Sequence, residues 1–367
     1  MIRRLILKNF KCFEELTVEM AELNVFAGIN SMGKSTAIQA LLLLRQAYKM
    51  NSLGRGIYLN GELTNIGTGF DLLYRNSQTD KITIGIEMDS MNITNEYEYS
   101  AESDFQKIAS YNTNFEEIIK ENLFSDNFAY VSSERKGPQK YYGSSYHDIF
   151  EENQVGTRGE YFAGYIAERG TNEKVTNKAV LHPQSQSDFL IYQMEAWMSE
   201  LSPGIHFTPK KYKEAGIVNL EYTIATESYS PVNVGFGLSY VAPIVLSLLK
   251  AQKGDLVIIE NPEAHLHPKG QRKMGELIAR TASGGVQVLV ETHSDHLLNG
   301  IRLAVKKKQI AKDAIRLNYF FCSQKLESNM SEIKHEKCSP MILEDGSLSD
   351  WPEGFFDEWD KALEELF

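Results

Sequence analysis

The sequence predicts an α/β fold, a mixed parallel and antiparallel sheet flanked by helices, on three observations. A short apolar run at 23–27 leads into Gly28-Ile29-Asn30-Ser31-Met32-Gly33-Lys34-Ser35, and helical periodicity follows over 36–48 around Leu41-Leu42-Leu43-Leu44. Far along the chain, Asp255-Leu256-Val257-Ile258-Ile259-Glu260 reads as a buried strand ending in a carboxylate. A helix over 269–282 separates it from a second buried strand at 286–291. Strand, helix and strand at that spacing imply a right-handed crossover within a parallel sheet.

The first loop fits G-x-x-x-x-G-K-[ST] at every specified position, between the strand and the helix that the pattern needs. Gly28 and Gly33 let backbone N–H groups close around phosphate oxygens, and the helix N-terminus adds the positive end of its dipole. Lys34 then reaches the β- and γ-phosphates, and the Ser35 hydroxyl holds Mg²⁺. The plainer alternative is a glycine-containing turn before a core helix. The flanks favour a loop that binds a nucleoside triphosphate.

With 367 residues the chain suffices for one large domain with insertions or for two. Apolar residues at 42% and charged residues at 24% suit a soluble globular protein, and no run approaches the length of a membrane span. Met1-Ile2-Arg3-Arg4-Leu5 lacks a signal-peptide core and reads as a first strand. Cys12, Cys322 and Cys338 are scattered without metal-like spacing, which suits a reducing cytoplasm. A net charge of −11 argues against nucleic-acid binding over the whole surface, because counterion release needs clustered Lys and Arg. Lys306-Lys307-Lys308 reads as a solvated helix end. Nucleic acid therefore stays open as a partner but unsupported by charge.

Taken in order, residues 3–7, 13–18 and 23–27 read as strands, with Phe10 and Phe13 as sheet core rather than as neighbours of a nucleotide base. Gly54, Gly56, Asn60-Gly61 and Gly67-Thr68-Gly69 mark a turn-rich segment, and alternation at 82–88 and 96–99 predicts strands. The middle of the chain carries no strong chemical motif. A buried strand at 128–133 empties into Glu134-Arg135-Lys136-Gly137-Pro138, and a polar, Gly- and Tyr-rich loop covers 136–160. A helix over 187–201 stops at Pro203-Gly204, and 217–226 reads as a strand. No internal repeat, low-complexity tract or sustained heptad pattern is present.

From residue 232 the motifs crowd together. Gly235, Gly237 and Ser239 open an apolar helix at 241–249, a second anion site by the same dipole argument. Glu260 ends its strand as a Mg²⁺-supporting carboxylate does. Glu263, His265 and His267 lack further metal ligands nearby, so a metal site there is disfavoured. His293, in Thr292-His293-Ser294, follows a strand's C-terminal end, the edge where doubly wound sheets bind ligands.

Together these motifs resemble the ABC-type ATPases that share the nucleotide-binding head of SMC and RecF-like proteins. They look most like the OLD-like AAA-15/AAA-21 branch of prokaryotic ATPases, which often belong to phage-defence systems. The resemblance covers the first 90 residues and about 232–305. It is carried by Ile259-Glu260-Asn261-Pro262-Glu263-Ala264-His265-Leu266-His267-Pro268 and Glu291-Thr292-His293-Ser294-Asp295-His296-Leu297-Leu298-Asn299-Gly300-Ile301-Arg302. The tail, with Trp351-Pro352-Glu353-Gly354-Phe355-Phe356, is similar to the C-terminal segment of one sparsely characterised subfamily.

The resemblance implies a P-loop ATPase head of ABC type, with ATP and Mg²⁺. Residues 1–90 would be its N-terminal lobe, 91–230 a middle insertion completing the head, 231–310 the C-terminal lobe and 311–367 a tail subdomain. By position, Gly28, Asn30, Ser31, Gly33, Lys34, Ser35 and Thr36 form the phosphate loop. Gly235, Gly237 and Ser239 match the signature that contacts the γ-phosphate held by an opposite subunit. Glu260 stands at the Mg²⁺-supporting position, beside Ser35 as the second metal residue, and His293 matches the γ-phosphate-sensing histidine. Two heads sandwiching two ATP molecules imply a homodimer or a higher even-numbered oligomer.

Two departures bear on catalysis. Asn261 stands where most relatives carry the glutamate that polarises the attacking water, and an amide cannot accept that proton. Either hydrolysis is slow, or Glu263 supplies the carboxylate within a catalytic set of Glu260, Asn261, Glu263 and His293. Relatives with the same Glu-Asn-Pro-Glu run favour Glu263. Tyr240 replaces the usual signature glutamine, and the Q-loop glutamine has no assigned position. Only about 65 residues follow Arg302, without a strand-borne Asp-x-Asp, so no nuclease like that of OLD proteins is expected.

The implied function is an ATPase whose nucleotide-dependent dimerisation controls a separate effector, a nuclease or other toxin encoded nearby, in anti-phage defence. The alternatives are a RecF-like DNA-repair or DNA-sensing ATPase, which needs a basic groove, and a nucleotide switch with negligible turnover. The aromatic tail is expected to pack onto its own head, with partner docking as the alternative.

Overall fold

Alternating apolar residues commit the N-terminus to a half-buried strand. Ile2, Leu5, Leu7 and Phe10 of β1 (Ile2–Phe10) are fully buried, while Arg3 and Lys8 face water. A computed structural model describes the chain apart from residues 113, 114, 225, 328 and 329, and apart from the side chains at 115, 116, 324–327, 330–332 and 358–360. After β1 come β2 (Phe13–Glu19), β3 (Leu23–Gly28), α1 (Lys34–Lys49), β4 (Gly56–Tyr58), α2 (Gly69–Leu72), β5 (Lys81–Met88), β6 (Asn92–Glu98), β7 (Phe105–Tyr111) and α3 (Phe115–Ile118). The middle holds β8 (Phe128–Val131), β9 (Tyr142–Gly143), α4 (Phe162–Arg169), α5 (Leu190–Ser199), β10 (Ile205–Tyr212), β11 (Ile217–Ile224) and β12 (Glu227–Tyr229). The last third holds α6 (Phe236–Lys250), β13 (Leu256–Glu260), α7 (Pro268–Ser283), β14 (Gln287–Glu291), α8 (Asp295–Lys306), β15 (Ile315–Glu327), β16 (Met330–Cys338) and α9 (Glu358–Leu366).

The chain divides into two compact units. The first comprises Met1–Ser125, Arg316–Met341 and Asp350–Phe367; the second comprises Asp126–Ile315 and Ile342–Ser349. Among the described residues no helix is long and apolar enough to cross a membrane.

In the first unit an antiparallel sheet runs β2-β1-β5-β6-β7-β4, with Leu7 opposite both Leu16 and Ile84. A second layer places β3 beside β15, which pairs β16 antiparallel. All four residues of the Leu41–Leu44 run are buried, which is what an apolar helix without a polar face demands. The buried Gln46 side chain donates to the Tyr58 carbonyl (2.9 Å) and the Thr64 hydroxyl (3.1 Å), and accepts the amides of Leu63 and Thr64. A buried amide satisfied four times over pins the turn-rich segment after the helix.

The aromatic tail packs on its own unit, as expected. Phe355 is 1% exposed and meets Tyr319 of β15 edge-on at 5.0 Å, while the Tyr319 hydroxyl donates to the Glu353 carbonyl (3.2 Å). Phe355→Ala should lower the unfolding free energy by about 3 kcal/mol, the usual cost of emptying a buried phenyl site. Trp351, 44% exposed, should lose about 1 kcal/mol on the same truncation. Denaturant titration of both variants checks this, and equal losses would contradict it.

In the second unit β8, β13 and β14 are parallel, with Ile258 opposite both Tyr130 and Leu289. The crossover from β13 through α7 to β14 is thus the parallel one the spacing predicts. Helices α7 and α8 meet through glycine: a Cβ at Gly275 would lie 2.1 Å from the Leu297 carbonyl oxygen, and one at Gly300 equally close to that of Arg272. A smaller antiparallel sheet runs β10-β11-β12, with β9 also on β11.

The middle is more regular than expected. The polar loop at 136–160 contains β9 and a π-helical turn, His147–Glu151. Strand β10 was not anticipated, because Thr208-Pro209-Lys210-Lys211 hides its alternation. The strand expected at 217–226 ends at Ile224; residue 225 lies outside the described residues. The helix expected over 187–201 is α5, Leu190–Ser199.

Candidate functional site

The phosphate loop begins where β3 ends and is shaped by what glycine permits. Gly28 has φ 141°, Ser31 65° and Gly33 98°. A Cβ at Gly28 would stand 2.3 Å from the Phe320 carbonyl oxygen, and one at Gly33 2.4 Å from the Phe13 ring. Neither position admits a side chain. Phe13 is thereby part of the support beneath the loop, in keeping with its reading as core.

Asn30, Ser31 and Ser35 are exposed, and Thr36 is buried with the Cys12 thiol donating to its hydroxyl at 3.8 Å. Helix α1 has neither a side-chain cap nor an acidic residue in its first turn, so no carboxylate of that turn opposes the positive end of its dipole. Lys34 is 3% exposed, and its ammonium donates to the carbonyls of Gly28 (2.9 Å) and Ile29 (2.8 Å). A glycine cradle, an uncapped helix start and a tethered cation fit a triphosphate.

The second cluster arises from the parallel strands of the other unit, whose C-terminal ends lie side by side. The Glu260 carboxylate accepts the Tyr130 hydroxyl on Oε1 and the Ser133 amide on Oε2, both at 3.0 Å. Burial, reinforced by Glu260, pushes the Tyr130 phenol far up, so it stays a donor. Asn261 has φ 45°; its amide donates to the Glu291 carbonyl (2.9 Å), and its Oδ1 is buried without a hydrogen-bond partner. Glu263 is buried, accepts the His293 amide on Oε1 (2.6 Å) and is also held by the Thr292 hydroxyl. Burial raises the Glu263 carboxyl above the ordinary range, against the opposing pull of the His293 amide, of the Thr292 hydroxyl and of Arg135.

Glu260, Asn261, Glu263 and His293 are therefore brought together at one strand edge, and the His293 side chain is exposed there. Tyr130, Ser133 and Arg135 join them unforeseen. The Arg135 guanidinium donates to the carbonyls of Ser132 (2.8 Å), Glu260 (2.6 Å) and Asn261 (2.7 Å). The only hint was a charged run directly after a strand's C-terminal end. His267 caps α7 by accepting the Lys269 amide, and the His265 ring lies against Tyr240 at 4.7 Å. Among the described residues no three His, Cys, Asp or Glu gather as metal ligands. Mg²⁺ accompanying a nucleotide needs no such cage, since phosphates and water fill most of its shell.

The signature residues lie along the first turn of α6. Gly235 is its N-cap, with open space where a Cβ would stand. A Cβ at Gly237 would stand 2.5 Å from the His265 carbonyl oxygen, so this glycine serves close packing. Ser239 is 1% exposed, its hydroxyl bonded to that of Tyr222 at 3.2 Å. It is turned into the core of its unit.

Fold and phosphate loop are those of a P-loop ATPase. The family described as AAA ATPase domain matches residues 1–202, more than half of the chain, and the chain belongs to it. A family described as AAA domain, putative AbiEii toxin, Type IV TA system matches residues 188–299, and one described as Protein of unknown function (DUF3696) matches 310–366. Among solved structures, an Smc head bound to the C-winged helix domain of ScpA is similar with TM-score 0.50 and 14% identity, over 92% of this chain and 98% of that one. The likeness is one of fold. An SMC head domain from Thermotoga maritima follows with TM-score 0.42 and 13% identity, over 90% and 97% of the two chains. An Smc head with an extended coiled coil, bound to the C-terminal domain of ScpA and derived from Pyrococcus furiosus, has TM-score 0.49 and 14% identity, over 100% and 99%. No curated protein matches the chain significantly.

Proposed function

We propose that this ATPase binds and hydrolyses ATP with Mg²⁺, dimerises head to head around it, and so controls a separate effector in prokaryotic anti-phage defence. The observation that supports the catalytic part is the buried carboxylate of Glu263 on the same turn as Asn261, whose buried Oδ1 has no hydrogen-bond partner. An amide oxygen and a carboxylate on one turn are what an attacking water needs, one to orient it and one to take its proton. Glu263 is the base, Asn261 the orienting amide and His293 the group that senses the γ-phosphate. In the phosphate loop Gly28, Asn30, Ser31, Gly33 and Thr36 present backbone to the triphosphate while Lys34 supplies charge. Ser35 and Glu260 would hold Mg²⁺, which when bound neutralises charge on the phosphate oxygens. The N-terminal turn of α6, opened by Gly235, is the anion site offered to a second head, with Gly237 packed against His265 and the Ser239 hydroxyl turned inward to Tyr222.

The wording of the family matched at 188–299, a toxin of a toxin–antitoxin system, supports the defence reading. An Smc head bound to a ScpA domain is the precedent for a partner protein on this fold. A second reading, a nucleotide switch with negligible turnover, draws on Asn261 at the usual glutamate position. The net charge of −11 disfavours the DNA-repair alternative.

Turnover and native mass with and without ATP·Mg²⁺, for the wild type and Glu263→Gln, test the proposal. The expected result is an ATP-dependent shift to even-numbered assemblies, and a kcat lower by about 100-fold or more in the variant, the usual weight of a general base. Full turnover in Glu263→Gln removes the assigned base. Assembly without wild-type turnover makes the protein a switch, and neither binding nor assembly sinks the proposal. The rate should also fall on the acid side at a pH above the ordinary carboxylate range. A base whose pKa is raised works above that pKa and is lost as pH drops through it.

A further inference from the structure

The roles above leave one buried cation unused. Arg135 is 3% exposed, and burial pulls its pKa down to about 10, which still leaves it charged at neutral pH. Its hydrogen bonds go to carbonyls, two of them belonging to consecutive residues of the catalytic turn, Glu260 and Asn261. A planar fork that spans two successive peptide groups fixes the path of the main chain between them. That path is a demanding one. Asn261 sits at φ 45°, a conformation that needs outside support, and it is held from both sides, by Glu291 on its amide and Arg135 on its carbonyl. Two residues on, Glu263 leaves the turn toward the His293 amide.

The same guanidinium lies over the ring of Tyr240 on α6 at 5.4 Å. Tyr240 in turn packs against His265, whose carbonyl is the group that only glycine at 237 can approach. The turn that carries the catalytic residues and the first turn of α6 are thus fastened at one point.

We propose that Arg135 is the positioning residue for Asn261 and Glu263 in hydrolysis, with Tyr240 as its link to the first turn of α6. The inference rests on the hydrolytic reading given above. Lysine keeps the charge and can serve some of the carbonyls but lacks the fork, so it restores part of the function, whereas glutamine at this position removes the charge.

The test uses the full chain with Arg135→Gln, Arg135→Lys and Tyr240→Leu, measuring ATP affinity, kcat and thermal unfolding. Displacing catalytic groups by about an ångström costs on the order of 100-fold. Arg135→Gln should therefore lose roughly that factor in kcat while ATP affinity changes by less than about 3-fold. Arg135→Lys should recover about 10-fold of the loss, and Tyr240→Leu should lose about 10-fold in kcat. A folded Arg135→Gln with wild-type kcat overturns the proposal, as does loss of affinity and kcat in equal measure. Should that variant fail to fold, wild-type kcat in both Arg135→Lys and Tyr240→Leu overturns it. Absence of turnover in the wild type instead sinks the hydrolytic reading, and the role of Arg135 with it.

Discussion

Lys34→Ala is expected to weaken ATP binding by at least about 100-fold and to remove turnover, with the fold retained. The ammonium is held over its own loop by the carbonyls of Gly28 and Ile29, so it is in place before any ligand arrives. Charge-assisted hydrogen bonds contribute about 1.5–3 kcal/mol each, and two of them to phosphate correspond to that factor. The two carbonyls left behind belong to a partly exposed loop and regain water, so stability should fall by no more than about 1 kcal/mol. Calorimetric titration with ATP·Mg²⁺ checks the first statement and thermal unfolding the second. Wild-type affinity in this variant would place the nucleotide elsewhere.

Gly28→Ala should be the most damaging small change in the first unit. The added methyl would sit 2.3 Å from the Phe320 carbonyl, a main-chain atom of the neighbouring strand that cannot swing away, at a φ of 141° that alanine resists. Overpacking and backbone strain together should cost about 3–5 kcal/mol, enough to unfold many domains of this size. Gly235→Ala is the control. It has open space and φ −54°, so its stability should stay within about 1 kcal/mol of wild type. Chemical denaturation separates the two, and comparable stability in both would refute the steric argument.

What was legible in the residues was local. The strand, glycine loop and helix around Lys34 are contiguous, so spacing alone exposes them. Glu260, Asn261, Glu263 and His293 lie at one edge because parallel neighbours bring their C-terminal ends together, a consequence of the β13–α7–β14 spacing. Arg135 stayed invisible for the opposite reason. Two of its three carbonyl partners, Glu260 and Asn261, are more than a hundred residues away in sequence, and an arginine in a charged run looks solvated until its burial is seen. Strands β15 and β16 were not read at all: polar residues such as Arg316, the buried Asn318 and the exposed Lys334 blur the alternation that marks a strand. Ser239 teaches a related lesson, for the spacing located its helix turn but not that its hydroxyl faces inward to Tyr222.

The arrangement of the units bears on how the protein is made. Strand β3 and the Phe320 carbonyl beside Gly28 lie about 290 residues apart, and nearly all of the second unit is translated between them. A ribosome delivers the second unit as an almost unbroken segment, free to fold while synthesis continues. The phosphate loop of the same nascent chain must wait for β15. Until then the chain carries the turn of Glu260 and Glu263 without a finished phosphate loop, and a truncated product is expected to be unable to draw ATP from the cell.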